Sequence, residues 1–310
     1  MSVFVKQTAT PCVFTSSESW VILSPIEQSI KRKIEAVGTP LKDWGVNIYR
    51  GILTGCNEAF IIDENKRTEI LAQCADAAER ERTEQIIRPI LRGRDIKRYG
   101  YNWAGLYLIA THNGYGRTPR IDIKDYPAVK KWLDEGGIAY NRKLYRGYPQ
   151  LVARADQGDT PYNLRNCAYM DDFAKPKIVW MDLSDVPTFA YDKNSQFTNN
   201  TVYFMSGEEN LLYLLGYLNS KIATYLFSQI GSTSGGGTTR WQAFTMERLF
   251  VPRATKEKQS RMAGLVERLL ATKSADTEVN TSVFESQIDA QVYRLYGLTS
   301  EEIAVVEGCK

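Results

Sequence analysis

The chain has 310 residues, of which 43% are hydrophobic and 24% charged, with a formal net charge of +3 and a single histidine. This composition argues against a disordered or fibrous protein, and the length accommodates one large domain or two ordinary ones. No apolar run approaches the roughly 20 residues of a bilayer span, and the first residues lack a basic stretch leading into an uninterrupted hydrophobic one. The expectation is a soluble, cytoplasmic protein with no membrane partner.

Ser24-Pro25-Ile26-Glu27 combines an N-cap serine, proline at the first helical position and glutamate three after the cap, and Ile26, Ile30 and Ile34 then share one face, which predicts a helix. The apolar runs Val46–Tyr49 and Ala59–Ile62, joined by a loop with Gly51 and Gly55, suggest paired strands. Asp63 to Glu84 is polar and reads as an exposed helix or excursion. Gly105–Ala110 reads as a buried strand, followed by a glycine-rich loop that carries His112 and Arg117, and Pro127–Leu133 as a short helix. From Lys177 the pattern turns to β, with runs at 178–181, 188–191 and 201–204 that predict an antiparallel meander. Ser206 and Glu209 suggest a second capping box for a helix through Leu211, Leu215, Leu218 and Ile222 that stops at Gly231. Beyond Pro252 two helical stripes follow, one through Met262, Leu265, Val266 and Leu269, the other through Phe284, Ile288, Val292 and Leu295 and ending at Gly297. Thr299 and Glu302 cap a last helix. The predicted fold class is therefore α+β (mixed α/β), an antiparallel-rich body over about residues 1–252 followed by a helical segment over 253–310.

Three segments offer chemistry. Arg88 to Tyr99 sets five basic side chains, Arg92, Arg94, Lys97 and Arg98 among them, against one acid in a turn-prone stretch. It suits phosphate contact, with Gly93 letting the main chain approach a duplex, or else is a solvated basic loop. Tyr140, Arg142, Lys143, Tyr145, Arg146 and Tyr148 interleave cations and aromatics, which can straddle a nucleic-acid backbone or lie half-buried in strands. In the loop from Ser234 to Gln242, three glycines precede Arg240, Trp241 and Gln242. Arginine reads guanine and glutamine reads adenine in the major groove, whereas the indole could equally anchor the loop to the body.

Other chemistries find little support. The five cysteines are scattered, with no close-spaced pair for zinc, and one histidine leaves no imidazole for a second role. All eleven prolines are isolated, so no Asn-Pro-Pro-Tyr-like segment holds a flipped adenine, and no strand followed by GxGxxG seats an adenosyl or dinucleotide cofactor. Asp122-Ile123-Lys124 and Asp95-Ile96-Lys97 supply only part of a metal-dependent nuclease pattern.

Taken together, the ordered segments Tyr49–Phe60, Ile90–Tyr99, Phe197–Tyr203, Leu214–Ser220, Gly235–Trp241 and Ile288–Leu298 resemble the TaqI-like C-terminal specificity domain of type IIG restriction-modification enzymes and related adenine-N6 DNA methyltransferases. The resemblance implies a target recognition module for double-stranded DNA. It also implies a methyltransferase domain as partner, upstream in cis or as a separate subunit, with S-adenosylmethionine and Mg²⁺ belonging to the full-length enzyme and no cofactor to this chain. The DNA-contacting candidates are then Arg92, Arg94, Lys97, Arg98, Arg117, Arg142, Lys143, Arg240, Trp241 and Gln242, with no catalytic residue. Two alternatives stay open: a metal-dependent nuclease using Asp122 and Lys124, and a protein-interaction module whose C-terminal helices dock a methyltransferase subunit.

Overall fold

The computed structural model describes residues 23–136, 138–140, 143–145, 150–230, 232–233, 239–275 and 279–308. Arg142, Arg146, Tyr148, Gly231, the Gly235–Gly237 loop, Cys12 and Cys309 lie outside them. The chain divides into two compact units that run across the 1–252 and 253–310 segments. One comprises Met1–Trp44, Leu212–Ile230 and Glu247–Lys310, the other Gly45–Leu211 and Gly231–Met246.

The first unit is mainly helical. Its first helix, Pro25–Val37, starts where predicted: the Glu27 N–H donates to Ser24 Oγ and the Ser24 N–H to Glu27 Oε2 at 2.7 Å, satisfying two groups the helix itself cannot pair. Ile30 and Ile34 are buried from this helix, Ile222 from Lys221–Ile230, Val266 and Leu269 from Lys256–Ala275, and Ile288 and Val292 from Ser282–Tyr296. Gly297, at φ 61°, ends the last of these, since the left-handed conformation is open to glycine without a Cβ clash. The final helix, Ser300–Gly308, carries the predicted Thr299–Glu302 box. A short ribbon pairs Gly38–Pro40 with Phe250–Pro252, and the Tyr217 and Tyr296 hydroxyls reach the Phe250 carbonyl at 2.7 and 2.8 Å.

The second unit holds two four-stranded sheets. In one, Lys177–Met181 lies between Phe189–Asp192 and Val202–Gly207, and Val46–Arg50 pairs with the outer side of Val202–Gly207, all antiparallel. The 177–204 region is thus antiparallel as predicted, but with its first strand central instead of at an edge. A fully buried ion pair fixes that centre. Lys177 Nζ lies 2.6 Å from Asp192 Oδ2, and Asp192 also accepts from the Tyr101 hydroxyl and from the N–H groups of Asn194 and Gln196, so no buried charge is left unpaired. Burial pushes the Lys177 ammonium below its ordinary pKa against the pull of Asp192. The other sheet runs Phe197–Thr198, Ile87–Leu91, Leu106–Ile109, Ile61–Asp63, with the first pair parallel.

Three sequence expectations are corrected here. The runs near 46–50 and 59–62 are not partners: Val46–Arg50 pairs with Val202–Gly207, and Asn57–Phe60 is a helical turn before the strand Ile61–Asp63, which pairs with Leu106–Ile109. Ser206 is no N-cap. It sits in a strand, its buried hydroxyl donates to Asp172 Oδ1 at 2.8 Å, and the helix begins only at Leu211. That helix is also not continuous to 230, because Asn219-Ser220 separates Leu211–Leu218 from Lys221–Ile230, and the Lys221 N–H is capped by Asp289 Oδ1 at 2.8 Å. Asp63 to Glu84 resolves into two helices, Glu64–Ala72 and Ala77–Ile86, each N-capped by an aspartate, Asp63 and Asp76.

Candidate nucleic-acid interface

The second unit contains a groove of about 700 Å³ built by chain segments far apart in sequence. The Val46–Arg50 strand brings Arg50, and Asn57 and Glu58 follow from the next turn. Arg92, Gly93 and Arg94 come from the bend after Ile87–Leu91, and Asn199, Asn200 and Thr201 from the turn before Val202–Gly207. Asp182, Leu183 and Arg240 close it from the small sheet formed by Leu183–Ser184, Thr239–Arg240 and Ser232–Thr233. Backbone contacts lock these segments together. The Asn199 N–H donates to Leu91 O at 3.0 Å, the Gly93 N–H to Thr201 Oγ1 at 2.9 Å and the Gly51 N–H to Val202 O at 2.8 Å. Gly51 has no alternative, since a Cβ there would stand 2.1 Å from the Asn199 carbonyl oxygen. Gly93 plays a similar part: a Cβ would meet Met181 Cγ at 2.7 Å, so its close approach is to the half-buried Met181, which also lines the groove.

The groove arginines differ in what already holds them. Arg92 is braced: its Nε and Nη2 donate to the two carboxylate oxygens of buried Asp95 at 3.1 and 2.8 Å, and its own N–H adds a third bond at 2.8 Å. Its hydrogen bonds to Asp95 push the guanidinium above its ordinary pKa. Among the described residues Arg50 uses its Nε alone, which donates to the Asn200 carbonyl at 2.9 Å, and its own carbonyl accepts from the Tyr169 hydroxyl at 2.8 Å. Arg94 is exposed, and Lys97, also exposed, donates to its carbonyl. Arg240 touches Asp182 through one nitrogen, Nη1 to Oδ2 at 3.2 Å. Tyr203 lies among these groups. Burial raises its hydroxyl pKa, Asp182 adds to the rise, and Arg50, Arg240 and Gln242 oppose it.

Of the remaining candidates, Arg98 is half-buried over the Tyr99 ring, Arg117 is exposed in the Tyr115–Thr118 turn, and neither lines the groove. Lys143 belongs to a strand paired with Ile138–Tyr140. Trp241 is 2% exposed, its indole N–H donates to Ser184 O, its N–H to Asp182 O and its carbonyl accepts from the Trp180 indole, so it anchors the strand bearing Arg240. Gln242 accepts the Thr245 and Met246 N–H groups at its carbonyl and opens the short helix Ala243–Met246. Sequence reasoning passed over Arg50, Asp182, Asn199 and Asn200. Arg50 beside Gly51 in a segment that carried the resemblance was the available signal, whereas a lone aspartate after an apolar strand has none.

Asp122 is occupied with the Lys124 N–H, and among the described residues no group of three or more His, Cys, Asp or Glu side chains is placed to hold a metal ion. Nor is any helix among them long and apolar enough to cross a membrane. Burial pushes the Cys167 thiol up to about 11, well away from a reactive thiolate.

The chain belongs to the TaqI-like C-terminal specificity domain family, whose model matches residues 88–251, just over half of the 310. It is similar to the Type II methyltransferase M.PaeR7I of Pseudomonas aeruginosa, 21% identical over 298 residues that are 96% of this chain and 46% of that protein. The Type II methyltransferase M.XhoI of Xanthomonas vasicola is 22% identical over 296 residues, 95% of this chain and 48% of that protein. The chain therefore spans about half the length of these curated relatives. Its fold is similar to that of the Type IIL restriction-modification enzyme MmeI, solved in complex with DNA, with a TM-score of 0.58 and 12% identity over 85% of this chain and 34% of that one.

Proposed function

We propose that this chain is a target recognition module for double-stranded DNA, serving a restriction-modification methyltransferase, and that the groove of the second unit faces the duplex. The observation that carries this reading is convergence. Four of the segments on which the family resemblance rests, around 50–58, 92–94, 199–201 and 240, meet at one groove whose arginines keep unused donors. Buried Asp182 and the amides of Asn57, Asn199 and Asn200 line it too, so donors and acceptors are mixed as base edges require, where a pure phosphate track would be cationic throughout. Exposed Arg94 and Lys97 supply the charge that phosphates reward by counterion release. Methyl transfer belongs to a methyltransferase domain, in cis or as a separate subunit, because no adenine-holding segment occurs in these 310 residues. S-adenosylmethionine and Mg²⁺ act there. The protein works in the cytoplasm, where its DNA is.

Fluorescence anisotropy with a labelled duplex tests the reading. Binding should weaken steeply between about 50 and 200 mM salt, and Arg94→Ala with Lys97→Ala should lower the slope of log K against log salt by about one per cation. Affinity indifferent to salt in the wild type refutes it. Calorimetry with S-adenosylmethionine should register no binding, and micromolar affinity would return the catalytic role to this chain.

A further inference from the structure

We propose that Arg240 reads one guanine with its Nε–Nη2 edge, and that Asp182 is the positioning residue that presents that edge. The inference deepens the DNA-recognition reading above and rests on it.

Among the described residues, Arg240 has a single tether, Nη1 to Asp182 Oδ2 at 3.2 Å, and its side chain stays 44% exposed while that of Asp182 is 6% exposed. A guanidinium is a rigid planar fork, so fixing one terminal nitrogen restricts the direction of the other two while leaving their N–H groups available. Those two, Nε and Nη2, form the side-on edge that can donate two parallel hydrogen bonds to an acceptor pair, and in the major groove guanine offers one in O6 and N7. Arg92 in the same groove shows the contrasting arrangement. Asp95 takes its Nε and Nη2 together, leaving no such edge.

The frame behind Arg240 is held on both sides. Arg240 pairs with Leu183 across the small sheet, the next residue donates its N–H to the Asp182 carbonyl at 2.8 Å, and the Trp241 indole is pinned to Ser184. Asp182 itself is held by its N–H on the Thr201 carbonyl at 2.9 Å. The carboxylate and the guanidinium are therefore carried by two backbones that cannot move independently. Among the described residues Asp182 Oδ1 is buried with no hydrogen-bond partner, so the pair is a one-point hinge in place of a closed fork. A phosphate contact would need no such aim, because a phosphate presents acceptors in many directions and a flexible arginine finds one without a buried carboxylate beside it.

The test is selection from duplexes carrying a randomised central segment, using the 310-residue chain as wild type, Arg240→Lys and Asp182→Asn. The wild type should enrich a site with a fixed guanine. Arg240→Lys, which keeps the charge but loses the planar fork, should relax that position alone by about 5- to 150-fold, the equivalent of 1–3 kcal/mol at 1.4 kcal/mol per tenfold. Asp182→Asn, near-isosteric and with its backbone bonds intact, should relax the same position. If both variants enrich the wild-type site with uniformly lower yield, the inference falls and the DNA reading stands. If only Asp182→Asn leaves the position unchanged, the positioning role falls. If the wild type retains no duplex at low salt, the DNA reading itself fails and takes the inference with it. Thermal melts accompany the selection, and should Asp182→Asn not fold, Arg240→Lys, an exposed-side-chain change, decides the guanine assignment.

Discussion

Arg92→Ala separates a structural cation from a DNA-contacting one. In the wild type the Asp95 carboxylate, 4% exposed, accepts three hydrogen bonds, two of them from the Arg92 guanidinium. Deleting the guanidinium leaves the buried carboxylate one backbone donor. Breaking a fully buried pair by removing one partner costs about 3–5 kcal/mol. The Arg92 side chain keeps 23% of its surface in water and the backbone donor survives, so we expect about 2–3 kcal/mol. For a unit of this size each kcal/mol moves the melting midpoint by about 2–4 °C, giving a fall of about 4–12 °C by near-ultraviolet circular dichroism. The salt dependence of duplex binding, measured at a temperature where the variant is folded, should change little. Arg94→Ala should do the opposite, melting with the wild type while its salt slope drops by about one. If Arg92→Ala melts within about 1 °C of wild type and flattens the salt slope, the brace argument is wrong and Arg92 contacts phosphate.

Three further outcomes follow from buried polar groups and one close contact. Burial would raise the Glu302 carboxyl, but Lys33, the Thr299 N–H and Ser29 outweigh it and hold the pKa at about 2. A carboxylate depressed in the folded state stabilises above its unfolded pKa, near 4.5, and that contribution is lost as pH falls through 2. Acid titration of stability should therefore lose on the order of 2–3 kcal/mol over that window in wild type but not in Glu302→Gln, and equal pH profiles would dismiss the account. Gly51→Ala forces a methyl against the backbone oxygens of Asn199 and Thr198, where neither side can yield, and should cost about 3 kcal/mol in urea denaturation; a variant as stable as wild type contradicts the geometry. Asp192→Ala strips partners from Lys177, Tyr101 and two N–H groups and should cost about 3–5 kcal/mol, clearly more than Lys177→Met, which leaves Asp192 with three donors. The reverse order would mean that the lysine, not the carboxylate, organises the centre.

What was legible in the sequence was local. The Ser24–Glu27 and Thr299–Glu302 boxes and the Gly297 stop depend on side chains meeting backbone three or four residues away, and the structure forms each of them. Ser206 and Glu209 have the same local spelling, yet Ser206-Gly207 pairs with Val46-Asn47 and the serine hydroxyl is drawn to Asp172, so a long-range ladder overrode the cap. Strand partners were illegible for the same reason: periodicity reports which face is buried and says nothing about which strand lies alongside. Basic residues at 92–98 and 240 could be seen as charge. In their division into braced and open ones, the brace on Arg92 comes from Asp95, only three residues on, but the tether on Arg240 could not be read, because Asp182 lies 58 positions away.

That division bears on how such a module can change its specificity. The groove is a by-product of the fold in its glycines and turns: Gly51, Gly93, Asn199 and Thr201 hold the segments at contact distance, so altering them should perturb every groove-lining side chain at once. Among the described residues Arg94 shows no side-chain bond and Arg50 and Arg240 show one each, so exchange at those three positions should disturb little beyond the surface they present. Asp182 occupies the middle ground. Its backbone belongs to the scaffold and its carboxylate touches Arg240, so on the reading proposed above a new preference at the Arg240 position is expected to need both residues to change together.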